Sequence, residues 1–336
     1  MGAGFSDMWC AARDGQTVAN PCVLPTDIGR VIDRVAQDKI TSYIKVARDQ
    51  GRVLKQLNCP QSGTFVAPAI IKVKSIADMA EEIFGTVLHV ATSEASELDR
   101  VIADINASGF GLTFGLHTRI DSRVEKITSR LNVGNMYVNR NQIGAVVGSQ
   151  PFGGEGLSGT GPKAGGRSYV KRFIKDAEIE SDSVDKRELG KTSVDASNGL
   201  TIEVIQKAIN GFGSINPKKL KSEEMSGPTG ESNVLSTYSR RLILCLGPTL
   251  ESAMLQAKIA RDNGCKALIV VPGAQGESAL DGVLARADLA KLQGFDAVVV
   301  WGDEAGQRAV RKALAERTGA ISPLIIERNM ASSCHV

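Results

Sequence analysis

Three glycines, Gly154, Gly156 and Gly159, spell G-x-G-x-x-G inside QPFGGEGLSGTGPKAGG (150–166), the spacing at which a strand-to-helix turn cradles a pyrophosphate. That chemistry needs a helix starting near the third glycine, so that its free N–H groups and dipole face the phosphates. The sequel is Thr160, Gly161, Pro162, Lys163, Ala164, Gly165 and Gly166. Each glycine costs a helix about 1 kcal/mol relative to alanine, and proline removes a donor. The residues predict an irregular glycine-rich loop, and Asp176 downstream does not rescue a ribose contact.

A second candidate is ADMAEEIFGTVLHV, where Glu82, Phe84 and Gly85 stand between a helical stretch and a strand. Taken alone, an acidic residue beside an aromatic one reads as a solvated carboxylate next to a core ring. The three histidines offer little: His89 lies in an apolar strand pattern, His117 follows a glycine-rich turn, and His335 is beside the terminus. Six cysteines (Cys10, Cys22, Cys59, Cys245, Cys265, Cys334) are far apart with no C-x-x-C pair, which fits free thiols and no metal site. No serine or cysteine has the G-x-S-x-G setting of a nucleophile. Glu223/Glu224 and Asp303/Glu304 read as exposed helix starts.

The elements that must position these residues follow from hydrophobic spacing. Residues 26–50 place Ile32, Val35, Ala36, Ile40, Ile44 and Ala47 on one helical face, behind a Thr26/Asp27 cap and before a Gly51 stop. TFVAPAIIKV (64–73) predicts an edge or irregular strand with one break at Pro68. GTVLHVAT, a helix through Leu98 to Ile105 closed by Gly109, a helix at Val124 to Leu131, and the strand-like NMYVN continue an alternation of strands and helices. Beyond YVKRFI, the tract KDAEIESDSVDKRELGKTS reads as a solvated linker. RLILCL (241–246), a helix from Leu250 to Ala260, KALIVV (266–271), DAVVVW (296–301), a helix through Val310 and PLII (323–326) predict parallel βαβα.

At 336 residues, 42% hydrophobic and 23% charged, the chain has room for two or three cores and no sign of disorder. A net charge of +3 from 40 basic and 37 acidic residues, well mixed, leaves no footprint for nucleic acid. No apolar run reaches the length of a membrane span, and the start lacks a signal-peptide pattern. The expectation is a cytoplasmic protein with a small-molecule or protein partner.

PTDIGRVID, SGTFVAPAIIKV, EEIFGTVLHV, GFGLTFGLHTRI, VGNMYVNRNQIGAVVGSQPFGGEGLSGTGPKAGG and SGPTGESNVLS, in this order, resemble the aldehyde dehydrogenase superfamily. More narrowly they resemble the proline utilization A family, in which proline dehydrogenase is fused to an L-glutamate γ-semialdehyde (1-pyrroline-5-carboxylate) dehydrogenase. The resemblance implies an α/β fold: the C-terminal half of a three-layer catalytic domain, followed by a smaller Rossmann-like α/β domain. Its boundaries would be 1–19 unmatched, 20–175 partial catalytic domain, 176–231 linker, and 232–336 a truncated C-terminal domain without catalysis of its own.

It further implies NAD as cofactor, with Glu82 on the nicotinamide ribose and Phe84 beside the nicotinamide. Gly144 and Ala145 match the loop whose backbone N–H groups hold the substrate α-carboxylate, and Phe152 the wall over the aliphatic part of the aldehyde. A carboxylate needs convergent donors, and small residues let backbone approach it. The family's cysteine nucleophile, its general-base glutamate, its cofactor-binding half and its FAD barrel have no counterpart, and Arg30, Thr86 and Arg167 stand where the family has proline. The expectation is a fragment with no catalytic residue, inactive by itself, or else a structural or oligomerisation module, as a homo-oligomer or with a complementing chain. A third reading, nucleotide binding at Gly247-Pro248-Thr249, is disfavoured because the G-x-G-x-x-G pattern is missing there.

Overall fold

The computed structural model describes residues 2–173 and 199–326. They fall into two compact units, Met1–Gly109 with Glu125–Leu131, and Phe110–Val124 with Asn132–Val336. Asp176, Cys334 and His335 lie outside the described residues.

The first unit opens with helix α1 (Gly2–Asp14), followed after a run of turns by α2 (Arg34–Asp49). The start of α2 is eight residues later than the spacing predicts, because Asp33, whose Oδ1 accepts the Ala36 N–H at 2.7 Å, is the cap. Thr26 and Asp27 are occupied elsewhere, Thr26 donating to the Asn20 carbonyl and Asp27 accepting from Thr17 N–H. Ile32 therefore precedes the helix and is 92% exposed, while Ile40, Ile44 and Ala47 form the buried stripe. Gly51, at φ +68°, ends the helix as expected.

Strands β1 (Val53–Gln56), β2 (Ala69–Lys72) and β3 (Val87–Val90) make a sheet in the order β1-β2-β3, with β1 antiparallel and β3 parallel to β2. The predicted break at Pro68 is present, but the strand after it is central rather than an edge. Proline precedes the ladder, so it removes no donor from residues 69–72, and Ala69, Ile70 and Ile71 are buried. Ala69 and Ile71 share a core with Ile40, Ile44, Val66 and Ile83. Helix α3 (Leu98–Ala107) stops at Gly109, φ +74°, and α4 (Asp121–Thr128) buries Ile127.

In the second unit β4 (Phe110–Gly111) pairs antiparallel with β7 (Glu155–Gly156), and β5 (Thr113–Leu116) pairs parallel with β6 (Asn135–Val138). Helix α5 (Ile202–Asn210) and the hairpin β8 (Lys219–Met225) and β9 (Asn233–Tyr238) follow. The remaining elements are β10 (Leu242–Cys245), α6 (Leu250–Asp262), β11 (Lys266–Val271), β12 (Ala279–Asp281), β13 (Ala297–Val299), α7 (Glu304–Ala315) and β14 (Leu324–Ile325). The five strands are parallel in the order β12-β11-β10-β13-β14, the 3-2-1-4-5 arrangement of doubly wound sheets.

Alternation along β10 divides the core. Ile243 and Cys245 face the α6 side with Ala253 and Ala257, while Leu242 and Leu244 face Ile205 and Ile209 of α5 and Val310 of α7. Residues 199–231, expected as the latter part of a linker, thus carry a helix and a strand, and α5 belongs to the C-terminal core. The reason is local: Ile202, Ile205 and Ile209 recur at helical spacing among polar neighbours. Glu223 and Glu224 stand in β8 rather than at a helix start, whereas Asp303 caps α7 by accepting from Gly306 N–H at 2.8 Å.

Candidate functional site

In the first unit, Glu82, Phe84 and Gly85 occupy an irregular segment leading into β3. Ile83 is the residue that points into the core, and it splits the pair so that Glu82 and Phe84 are both exposed. The ring of Phe84 is 85% exposed, which corrects the expectation of a core ring. A phenylalanine left in water forgoes about 1.5–3 kcal/mol of burial. Glu82 has no hydrogen-bond partner among the described residues. Gly85 lets the segment lie close to α2, since a Cβ there would come within 2.5 Å of Ile40 Cδ1.

Nearby in the same unit, the Tyr43 hydroxyl is 2.8 Å from His89 Nε2. Burial, with the Arg52 charge second, lowers the His89 pKa.

In the second unit, the glycine-rich stretch is irregular, as predicted. Gly156, φ +57°, lies in the short strand β7, and turns rather than a helix follow. Two of the N–H groups a phosphate there would need are consumed internally, Ser158 N by Glu155 O and Gly159 N by Gly156 O. Gly154 is there for close packing, because a Cβ would lie 2.5 Å from the Ser158 carbonyl oxygen.

The residues that hold this loop were not singled out in the sequence. Lys163 Nζ donates to the carbonyls of Gly134 and Gly153, both at 2.7 Å. Asn135 at the start of β6 donates to Pro151 O at 2.9 Å and accepts from Gly153 N at 3.0 Å. Burial lowers the Lys163 pKa and raises that of Glu155, each charge partly offsetting the other's desolvation. A lone cation within a run of glycines was the available signal, since a backbone carrying that many free carbonyls needs a donor.

Phe152 is half-buried and forms a two-way backbone bridge with Ala164, at 2.9 and 2.7 Å. Ahead of it, residues 143–150 form an exposed apolar loop in which Ile143 is 90% and Val147 82% exposed. Two of its N–H groups are tied by side chains, Ile143 N to Asn141 Oδ1 at 3.2 Å and Val146 N to Gln150 Oε1 at 3.1 Å. Those of Gly144 and Ala145, between them, have no acceptor among the described residues. Two consecutive open N–H groups flanked by fixed ones are suited to a carboxylate or another small oxyanion.

At the turn after β10, the Gly247 main chain is held by a side chain. Fully buried Gln256 accepts from Gly247 N at 3.1 Å and donates to Gly247 O at 2.9 Å, and Trp301 N donates to the same carbonyl at 2.9 Å. The first turn's leading N–H is therefore committed. Among the described residues no helix is long and apolar enough to cross a membrane.

The aldehyde dehydrogenase family profile matches residues 7–179, half of the chain, and the chain belongs to that family. Within it, the chain is similar to the bifunctional protein PutA of Klebsiella aerogenes, 37% identical over 334 residues covering 90% of this chain and 26% of that protein. It is also 43% identical over 159 residues to a 1-pyrroline-5-carboxylate dehydrogenase of Bacillus cereus, covering 46% of this chain and 30% of the other. A crystal structure of a Bradyrhizobium japonicum proline utilization A variant aligns with a TM-score of 0.49 at 44% identity, over 51% of this chain and 17% of that one. The chain spans about a quarter of the length of the PutA proteins it matches. The family match starts at residue 7, inside α1, rather than at residue 20 as expected.

Proposed function

We propose that this chain serves the NAD-dependent oxidation of L-glutamate γ-semialdehyde to L-glutamate, and that its 143–150 loop captures the substrate's α-carboxylate. The observation that carries the reading is the pair of open N–H groups at Gly144 and Ala145 in a loop whose neighbouring amides are tied. Phe152, fixed through its bridge to Ala164, is assigned to the aliphatic part of the aldehyde. The name of the 1-pyrroline-5-carboxylate dehydrogenase relative agrees with a substrate of this class.

The family generally uses NAD, and the first unit offers residues that fit it. A ribose diol donates two hydroxyl groups, which an unpartnered carboxylate such as Glu82 can accept, and an exposed flat ring such as Phe84 can lie against nicotinamide. Bound NAD would supply the hydride acceptor. An aldehyde must first be attacked by a thiolate, and burial raises the thiols of Cys59 and Cys245, the latter to about 12. On this reading the 336 residues alone do not reduce NAD, and the C-terminal sheet, with α5 as its first helix, is a structural domain.

The test has two arms. L-glutamate titrated into the ¹⁵N-labelled chain should shift the Gly144 and Ala145 amides, whereas the analogue with its α-carboxylate converted to an amide should not. Equal shifts with both ligands, or with neither, would end the carboxylate reading. Reduction of NAD by the purified chain with the semialdehyde would end the claim that it is inactive alone.

A further inference from the structure

The carboxylate loop is braced from a distant segment as well as by its own neighbours. Gln150, only 8% exposed, closes the loop on itself by accepting from Val146 N at 3.1 Å, while its own N–H donates to Val146 O at 2.8 Å. Its amide nitrogen then reaches across 81 residues of sequence to Glu231 Oε1 at 2.8 Å, and to Asn233 Oδ1 at 3.0 Å. Glu231 belongs to the connection of the β8–β9 hairpin, and Asn233 is the first residue of β9. Both donors of the buried amide are used and its oxygen has a partner.

The charge on Glu231 is balanced. Arg140 Nη1 lies 3.1 Å from the same oxygen, and the guanidinium stands over the Tyr137 ring at 5.4 Å. Arg140 opens the loop and Gln150 closes it, so one carboxylate grips both ends of the segment that contains Gly144 and Ala145. Ser149 and Ser226 add a hydroxyl contact at 3.4 Å.

We infer that Glu231, acting through Gln150 and Arg140, is the positioning residue of the carboxylate loop, so that the hairpin connection determines how well the chain recognises a substrate bearing an α-carboxylate. The inference rests on the carboxylate reading above. The physical reason is conformational: two exposed donors bind an anion well only if their geometry is fixed beforehand, because ordering a free loop on binding costs affinity. Glu231 touches no substrate in this arrangement. Its effect passes through the amide that ties Val146 N and leaves the amides of Gly144 and Ala145 open.

The experiment uses the full chain, ¹⁵N-labelled, and two readouts. Heteronuclear relaxation of Gly144 and Ala145 without ligand reports loop order, and L-glutamate titration reports affinity. Glu231→Ala should lower the order of both amides and weaken glutamate binding about tenfold or more, the loss associated with a hydrogen bond to a charged acceptor. Gln150→Glu should do the same by placing like charges together, and the double variant Gln150→Glu/Glu231→Gln, which restores a donor opposite an acceptor, should recover most of the affinity. Ser222→Ala, at a contact across the hairpin with Ser236, is the control and should leave both readouts unchanged. A general loss of folding in the single variants would not be repaired by the exchange, so recovery separates positioning from stability. If wild type binds glutamate and Glu231→Ala leaves order and affinity as they were, the inference is wrong and the carboxylate reading stands. If wild-type amides do not shift with glutamate, the carboxylate reading fails and the inference falls with it.

Discussion

Gly134 faces Gly153 so closely that a Cβ on Gly134 would lie 1.8 Å from the Gly153 carbonyl oxygen. No rotamer relieves such a contact, since both partners are main chain. Gly134→Ala must push the 151–154 segment away from β6 and break the Lys163 contacts to both carbonyls. The expected loss is about 1–3 kcal/mol or more, measured by chemical denaturation, with Gly144→Ala as a control that meets no atom within 4 Å.

Lys163→Met tests the same base from the other side. The change removes the donor from two carbonyls and the cation that offsets the burial of Glu155. Stability should fall by about 1–3 kcal/mol for the unsatisfied groups. The Glu155 carboxyl, already raised by burial, should rise further. A raised acid binds more protons when folded than when unfolded, so the variant's stability should decline as pH climbs through the carboxyl range, more steeply than wild type. Denaturation midpoints across that range decide it; parallel curves for the two proteins would refute the coupling.

His89 should make the first unit sensitive to mild acid. Its folded pKa lies below the ordinary value, so the unfolded chain binds the extra proton first. Stability is complete above about 6.5, the free imidazole value, and is lost as pH falls from there towards the lower folded pKa. Replacing Tyr43 by Phe removes the hydroxyl 2.8 Å from Nε2, which can donate to the neutral ring, and should narrow that window. His89→Gln should flatten the dependence in thermal melts over the imidazole range.

Where periodicity was strong, the elements could be read directly: the C-terminal strands alternate between two apolar faces, and each helix there ends at a glycine or begins at a side-chain cap. The misplaced start of α2 shows the limit. Thr26, Asp27 and Asp33 are all competent caps, and only the tertiary partners of the first two, Asn20 and Thr17, leave Asp33 to do it. Strand β12, three residues long, was too short to stand out, whereas the isoleucine spacing of α5 was present in the sequence and was read as part of a linker.

At the candidate site, the small residues were legible through family resemblance, while the groups that brace them were not. Gln150 to Glu231 and Lys163 to Gly134 are pairings between distant segments, and no local spacing encodes them. Phe84 was misread from its own neighbourhood because an aromatic residue beside a strand is usually core. The outward turn follows from Ile83 taking the buried position.

Gln256→Ala should be costly although no apolar contact is the main loss. The side chain bonds both the N–H and the carbonyl of Gly247 at zero exposure, and its removal leaves the buried N–H without an acceptor while the carbonyl keeps the Trp301 N–H. A loss of about 1–3 kcal/mol is expected, read as a lower denaturation midpoint. Gln256→Glu should be worse than alanine at neutral pH, because it keeps an acceptor for the N–H but places a charge beside the Gly247 carbonyl.

Gly144→Ala separates binding from folding most cleanly. An added methyl meets no protein atom within 4 Å and the backbone there has no left-handed requirement, so thermal stability should stay within about 0.5 kcal/mol of wild type, the range for an uncrowded surface change. The same methyl would stand where a bound carboxylate must approach the Gly144 and Ala145 amides. Glutamate binding should therefore weaken about tenfold, the effect of pushing an anion off one charge-assisted hydrogen bond. Unchanged affinity with unchanged stability would mean that the loop does not receive the carboxylate through these amides.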